Sequence, residues 1–119
     1  MAHAALHDAY QRGPVALAWP ALLGFVRLAT RSGILPRPLE VEQAMDVVHA
    51  WTDHPAAVLV HPGAQHEGLL RRLLVALGIG GPIVSDAHFA ALAIENAATL
   101  MSFDRDFERF AGLRFKRLA

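Results

Sequence analysis

The amino-acid sequence predicts an α/β fold with a small, mainly parallel sheet, and three observations support this prediction. Short, wholly apolar runs at 15–18 and 57–60 are typical of strands buried on both faces. Longer segments, in which apolar residues recur at helical spacing, lie between these runs. A third apolar run, 99–103, follows the last of these segments. Strands that alternate with helices favour a parallel sheet, because a parallel pair needs a long crossover connection.

The helices are bounded by ordinary start and stop signals. Pro20 suits the first turn of a helix, where its missing N–H costs nothing. Asn96 is a plausible left-handed cap after the last helix. A short helical turn and a final strand near 113–115 complete the chain. The predicted helices cover residues 3–12, 20–28, 39–51, 65–77 and 86–95.

Length and composition limit the class of protein. With 119 residues, of which 54% are hydrophobic, the chain is expected to form a single domain over 1–119 with one core. No segment resembles a signal peptide or a membrane span, and cysteine is absent, so the cytoplasm is the expected location. The formal net charge of zero argues against broad non-specific binding of nucleic acid.

Charge is uneven along the chain, however. From Asp104 onward the sequence holds five basic residues against three acidic ones. Such a basic tail beside an acidic cluster would suit phosphate, although many charged termini are simply solvated. The five basic residues are Arg105, Arg109, Arg114, Lys116 and Arg117.

Three aspartates in the last third of the chain are the candidate site. Asp104 directly follows a predicted strand, where open parallel sheets bind ligands, and Asp106 lies two residues further on. Asp86 begins the preceding helix. Clustered carboxylates without cysteine suit Mg²⁺ or Mn²⁺. Aspartate is also a favoured helix N-cap, so spacing alone leaves metal binding and capping equally open.

The amino-acid sequence around these aspartates closely resembles the C-terminal half of PIN-domain ribonucleases, in particular VapC-type toxins of bacterial toxin–antitoxin pairs. The resemblance continues upstream and covers nearly the whole chain, and the spacing from Asp86 to Asp104 fits the third and fourth acids of the family. The matching segments are VSDAHFAALAIE (84–95), ATLMSFDRDFERF (98–110), GLR (112–114), WPALLGFVRLAT (19–30) and residues 39–51.

The resemblance implies a fold, an activity and partners. The fold would be a PIN-like three-layer α/β/α domain. The activity would be that of a Mg²⁺-dependent (or Mn²⁺-dependent) endoribonuclease toxin that hydrolyses RNA phosphodiesters. Asp86 and Asp104 would be catalytic and would bind the metal, with Asp106 assisting. A cognate antitoxin that plugs the acidic site and a homodimer are implied as partners.

The chain also departs from the family pattern. The first acid of the family ends an opening strand, which has no match here because Met1 falls inside the expected first helix. The second acid, usually a glutamate, corresponds to Gly24. The fold is therefore expected to lack its first strand, through a late start, shortening or a degenerate gene. The alternative function is a catalytically dead or truncated PIN-like module that only dimerises or binds an antitoxin.

Two further residues are secondary candidates. Arg27 lies on an otherwise apolar helix near Gly24, where it would contact substrate phosphate or the antitoxin, or form a structural ion pair. His88 lies one turn into the helix that begins at Asp86, so proximity to the metal site and simple packing are both open.

Overall fold

Helices and short strands follow one another along the chain in the order that the sequence predicts. The computed structural model describes residues 2–118. Within these residues, no helix has both the length and the apolar character needed to cross a bilayer. In chain order the elements are α1 (Ala2–Arg12), β1 (Val15–Leu17), α2 (Trp19–Ala29), α3 (Val41–Thr52), β2 (Ala57–Leu59), α4 (His66–Leu77), α5 (Ile83–Glu95), β3 (Thr99–Ser102), the 3₁₀ helix η1 (Arg105–Arg109) and β4 (Arg114–Arg117).

The strands are parallel, as predicted, and each of two units contains one pair. In the described part of the chain, β1 pairs only with β2 and β3 pairs only with β4. The two pairs belong to two compact units, Met1–Val60 and His61–Ala119, each described by itself below. The three-layer arrangement and the single domain stay predictions.

The prediction that the first two strands are buried on both faces is wrong. Val58 is 48% exposed and Leu59 is 40% exposed. Side chains of a strand point alternately to the two faces of the sheet, so two consecutive exposed residues show that neither face of β2 is fully covered.

In the first unit, α2 packs against α3 through a small buried set that includes Leu22, Ala44 and Val48. Pro20 lies in the first turn of α2, as predicted. The next helix begins at Val41 rather than at residue 39. Glu40 forms a reciprocal capping box with Gln43, which satisfies backbone N–H groups at that end and so sets the start.

Tyr10, the one tyrosine of the chain, anchors α1 within this unit. Its hydroxyl donates a 2.6 Å hydrogen bond to the carbonyl oxygen of Trp51. Its ring stacks on His54 at a centroid distance of 3.9 Å. Burial raises the pKa of this phenol above its ordinary value of 10.0, because the phenolate would lose its hydration.

The midpoint of the alkaline titration of Tyr10 is therefore expected at a higher pH in the native chain than in the unfolded chain. In the unfolded chain the phenol ionises at its ordinary pKa, whereas in the folded chain it stays neutral to higher pH. The contribution to stability is present below the ordinary pKa and is lost as the pH rises above it. Tyrosinate absorbance should show a higher midpoint in native protein than in urea. Coincident midpoints would contradict the burial of Tyr10.

The second unit is built on close contact between α4 and α5. Ala87, Ala90 and Ala91 are completely buried, and their small side chains let α5 approach Leu73 of α4. Phe107 completes the core beside them. At the end of α4, Gly78 adopts a left-handed φ of 70° and caps the helix, as its sequence position predicts.

The two ends of α5 differ from prediction. The helix begins at Ile83, three residues before Asp86. At its other end the residue with a left-handed φ is Ala97 (52°), and Asn96 is not left-handed, so the predicted cap is wrong. The Asn96 side chain donates instead to the carbonyl oxygen of Leu92. The Arg114 guanidinium donates to the carbonyl oxygen of Ala97, which ties this turn to β4.

Candidate metal centre

The second unit brings together the three aspartates singled out by the sequence. Asp86, Asp104 and Asp106 each offer a carboxylate oxygen, and these oxygens all lie within 4.8 Å of one another. No other group of three such ligands occurs in residues 2–118. Asp86 is half-buried, whereas Asp104 and Asp106 are exposed, so the cluster is open to solvent on one side.

Asp86 is held by the helix that carries it. It lies in the first turn of α5, next to Ala87, which is completely buried against α4. The N-cap position of α5 belongs to Pro82, so the predicted helix start at Asp86 is wrong, and of the two interpretations left open, capping by Asp86 is ruled out. The carboxylate of Asp86 therefore has no capping role that would account for its position in the cluster.

Asp104 does act as a cap. It is the N-cap of η1, and its Oδ1 accepts a 2.9 Å hydrogen bond from the backbone N–H of Asp106. Its own N–H donates to the hydroxyl oxygen of Ser102 at 3.1 Å. A carboxylate has two oxygens with about four acceptor sites, so capping leaves room for a metal ion. For Asp104 the two interpretations are compatible.

The electrostatics of the cluster favour a cation. The pKa of Asp86 is raised above its ordinary value of 3.8, first by burial and then by the negative charges of Asp104 and Asp106. Burial and repulsion thus outweigh the favourable dipole at the start of α5. A divalent cation would remove this repulsion. Three hard oxygen donors match the ligands that Mg²⁺ and Mn²⁺ prefer, so the residues present fit such an ion.

The secondary candidates lie elsewhere. Arg27 is exposed in the last turn of α2, which belongs to the first unit, and its proposed contacts stay predictions. His88 lies in the second unit but is not a member of the three-carboxylate group. Its Nδ1 is instead 3.0 Å from Nε2 of His66.

His88 belongs to a hydrogen-bonded chain that sequence reasoning missed. Nδ1 of His66 lies 3.4 Å from Oε1 of Glu95, and Oε2 of Glu95 accepts a 2.9 Å hydrogen bond from the N–H of Gly63. The side chains of His66 and Glu95 are only 11% and 12% exposed. Burial, and secondarily the charge of His66, lower the pKa of His88, which favours the neutral form of the His88 ring. The partners are 22 and 29 residues apart, so no local sequence signal joins them.

Glu95→Ala is expected to destabilise the protein by about 1–3 kcal/mol, because it leaves the buried His66 ring without its acceptor. Glu95→Gln keeps an oxygen for the N–H of Gly63 and should cost less. Urea unfolding followed by circular dichroism measures both variants. Equal stability of Glu95→Ala and the parent chain would show that this network contributes nothing.

Comparison with known proteins identifies the family of the chain. The PIN domain family model matches residues 2–113. Ribonuclease VapC37 of Mycobacterium tuberculosis is 50% identical over 101 residues, which cover 85% of this chain and 70% of that protein. Ribonuclease VapC33 of the same species is 37% identical over 85% of this chain and 71% of its own length. VapC ribonuclease Mb2897 of Mycobacterium bovis is 37% identical over 87% of this chain and 70% of its own length.

The chain therefore belongs to the PIN-domain family. Within that family it is of the VapC type, as its similarity to these relatives shows. The resemblance noted from the sequence motifs is confirmed.

Proposed function

We propose that this chain is a metal-dependent endoribonuclease toxin of a toxin–antitoxin module. The observation that carries the proposal is the convergence of Asp86, Asp104 and Asp106, whose carboxylate oxygens lie within 4.8 Å of one another. Carboxylates gathered at the carboxyl end of a parallel strand pair are suited to hold Mg²⁺ or Mn²⁺. The similar proteins named as ribonucleases supply the substrate class, RNA.

In this mechanism Asp86 and Asp104 hold the metal and Asp106 assists. When bound, the ion would activate water and neutralise charge on the phosphodiester. The chain itself positions the carboxylates. Packing of α5 in the alanine-rich core holds Asp86, and the hydrogen bond from the Asp106 N–H holds the carboxylate of Asp104. Without a cation, three carboxylates would repel a phosphate, so RNA binding at this point should depend on the metal.

A non-enzymatic module that only dimerises or binds an antitoxin is the second candidate. Two observations favour it. In residues 2–118 the carboxylate group has three members, two of them exposed, and exposed ligands hold a metal weakly. Gly24, which matches the family's second acid, has no side chain to add to such a site. Both candidates would bind the partners expected of a VapC-type protein, a cognate antitoxin and a second copy of the chain. Both would act in the cytoplasm.

Cleavage of structured RNA by the purified chain separates the two candidates. The nuclease should cut RNA when Mn²⁺ or Mg²⁺ is supplied and should stop when the ion is chelated. Cleavage that persists in the chelator would contradict metal dependence. Binding of Mn²⁺ without any cleavage, tested over a range of RNAs, would favour the non-enzymatic module.

A further inference from the structure

The proposed catalytic group does not use the five basic residues near the C-terminus. Arg105, Arg109, Arg114, Lys116 and Arg117 are all exposed. Within residues 2–118 none of them lies within 4.0 Å of a carboxylate, although three acidic residues share the same segment. Of the five, only Arg114 makes a side-chain hydrogen bond in the described part of the chain, to the carbonyl of Ala97. The other four are free to meet an external anion.

Strand register places two of these cations beside the aspartates. In the parallel pair, Met101 lies opposite Lys116 and Ser102 lies opposite Arg117. The carboxyl ends of parallel strands share one edge of a sheet. Asp104 follows Ser102 by two residues and is tied to it by a hydrogen bond to the Ser102 hydroxyl. Lys116 and Arg117 therefore end β4 at the edge where the acidic cluster begins.

The alternation of side chains along the strands indicates which face of β4 carries Arg117. Leu100 and Phe115 are opposite one another and both pack on the core formed with α5. Side chains two residues apart in a strand share a face, so Ser102 and Arg117 lie on that same face at the carboxyl end of the pair. This is the face packed against α5, the helix that contributes Asp86. Arg117 thus belongs to the same corner of the second unit as the aspartates. Lys116 lies on the other face of β4 at the same carboxyl end, so the two cations would hold phosphates on the two sides of this end.

We propose that Lys116 and Arg117 bind backbone phosphates of the RNA strand next to the bond held at the aspartate cluster. The inference rests on the proposed ribonuclease function and names how its substrate is held. The chain has a formal net charge of zero and therefore does not attract RNA as a whole. An RNA strand that approaches three carboxylates needs nearby cations to offset the repulsion of its phosphates. Arginine and lysine beside a phosphate site supply this attraction without reading the base sequence.

Salt dependence of RNA binding tests the proposal. A single-stranded RNA of mixed sequence, about 16 nucleotides long, is the probe, and fluorescence anisotropy is the readout. All chains keep the three aspartates and are measured with Mg²⁺ on an RNA with charged, uncleavable phosphonate linkages, because RNA binding at the cluster depends on the metal. Each phosphate contact to single-stranded nucleic acid contributes about 0.7 to the slope of log affinity against log salt. Lys116→Gln with Arg117→Gln should therefore lower the slope by about 1.4 and weaken binding about 25-fold near 0.1 M salt.

The matched control removes two charges from another surface of the same unit. Arg71 and Arg72 are exposed on α4, so Arg71→Gln with Arg72→Gln should leave the slope nearly unchanged. Exchange of the cations, Lys116→Arg with Arg117→Lys, should keep the slope and guards against a folding defect in the neutral variant. Equal losses in the neutral pair and the α4 control would overturn the proposal.

Two further outcomes separate this inference from the proposed function. If the parent chain cuts RNA with Mn²⁺ but the slope does not depend on Lys116 and Arg117, the nuclease function stands and the inference fails. If the chain does not cut RNA but the slope does depend on them, the binding surface stands and the nuclease function fails. If the neutral pair weakens only an acidic peptide and not RNA, the surface docks protein and the inference is overturned.

Discussion

Asp86→Asn is expected to reduce metal-dependent RNA cleavage by about 10²–10³-fold, equivalent to about 3–4 kcal/mol of transition-state stabilisation. Asp86 is the half-buried member of the cluster and the one on a helix packed into the core, so neither neighbour replaces it. The substitution keeps the size of the side chain and removes its charge. Initial rates of RNA cleavage in Mn²⁺ measure the effect.

The same variant should have effects of opposite sign on stability with and without metal. Without metal it should be slightly more stable than the parent, because burial and two neighbouring carboxylates disfavour the Asp86 charge. With Mn²⁺ the parent should gain stability by binding the ion, and Asp86→Asn should lose most of that gain. Thermal unfolding in chelator and in Mn²⁺ measures both effects.

Asp46→Asn is the matched control, since Asp46 is an exposed aspartate on α3 outside the cluster. It should leave the metal-induced gain and the cleavage rate unchanged. Equal cleavage by the Asp86→Asn variant and the parent would remove Asp86 from the catalytic group. Equal metal-induced gains would remove it from the metal site.

Phe107→Ala is expected to destabilise the protein by about 3–5 kcal/mol. Phe107 is 6% exposed and packs against Phe110 and Phe115, with ring centroids 6.1 Å and 5.8 Å away. It belongs to the core that also contains the buried alanines of α5. Truncation would leave a cavity that the surrounding helices cannot fill completely. Since small domains are stable by only about 5–15 kcal/mol, much of the total would be lost.

Phe103→Ala provides the control from the same segment. Phe103 is 40% exposed, so its truncation should cost much less than that of Phe107. Urea unfolding of both variants, followed by circular dichroism, gives the two free energies of unfolding. Similar costs for the two substitutions would contradict the packing described for η1.

Much of the architecture could be predicted from local patterns. Pro20 lies in the first turn of α2, and the predicted helix 65–77 ends at Leu77, as in the structure. The run at 99–103 corresponds to β3, and Asp104 lies just beyond that strand, as predicted. These features depend on backbone preferences and short-range hydrogen bonds, which neighbouring residues determine.

The predicted start of α5 at Asp86 is wrong for a local reason: the helix begins at Ile83, directly after Pro82, so Asp86 does not cap it. The other errors arise where distant residues intervene. The residue in the left-handed region is Ala97, whose carbonyl accepts from Arg114, a partner 17 residues away. The buried contact between His66 and Glu95 spans 29 residues. No periodicity or motif encodes contacts of this kind.

The sequence alone determined the α/β class, the positions of most helices and strands, and the three acidic residues of the candidate site, because propensity, periodicity and motif wording are local properties. Only the tertiary structure decided that the strands form two parallel pairs and that the oxygens of Asp86, Asp104 and Asp106 lie within 4.8 Å of one another. It also placed Arg117 opposite Ser102. Each of these facts depends on strand register and helix packing, through which residues far apart in the chain come into contact.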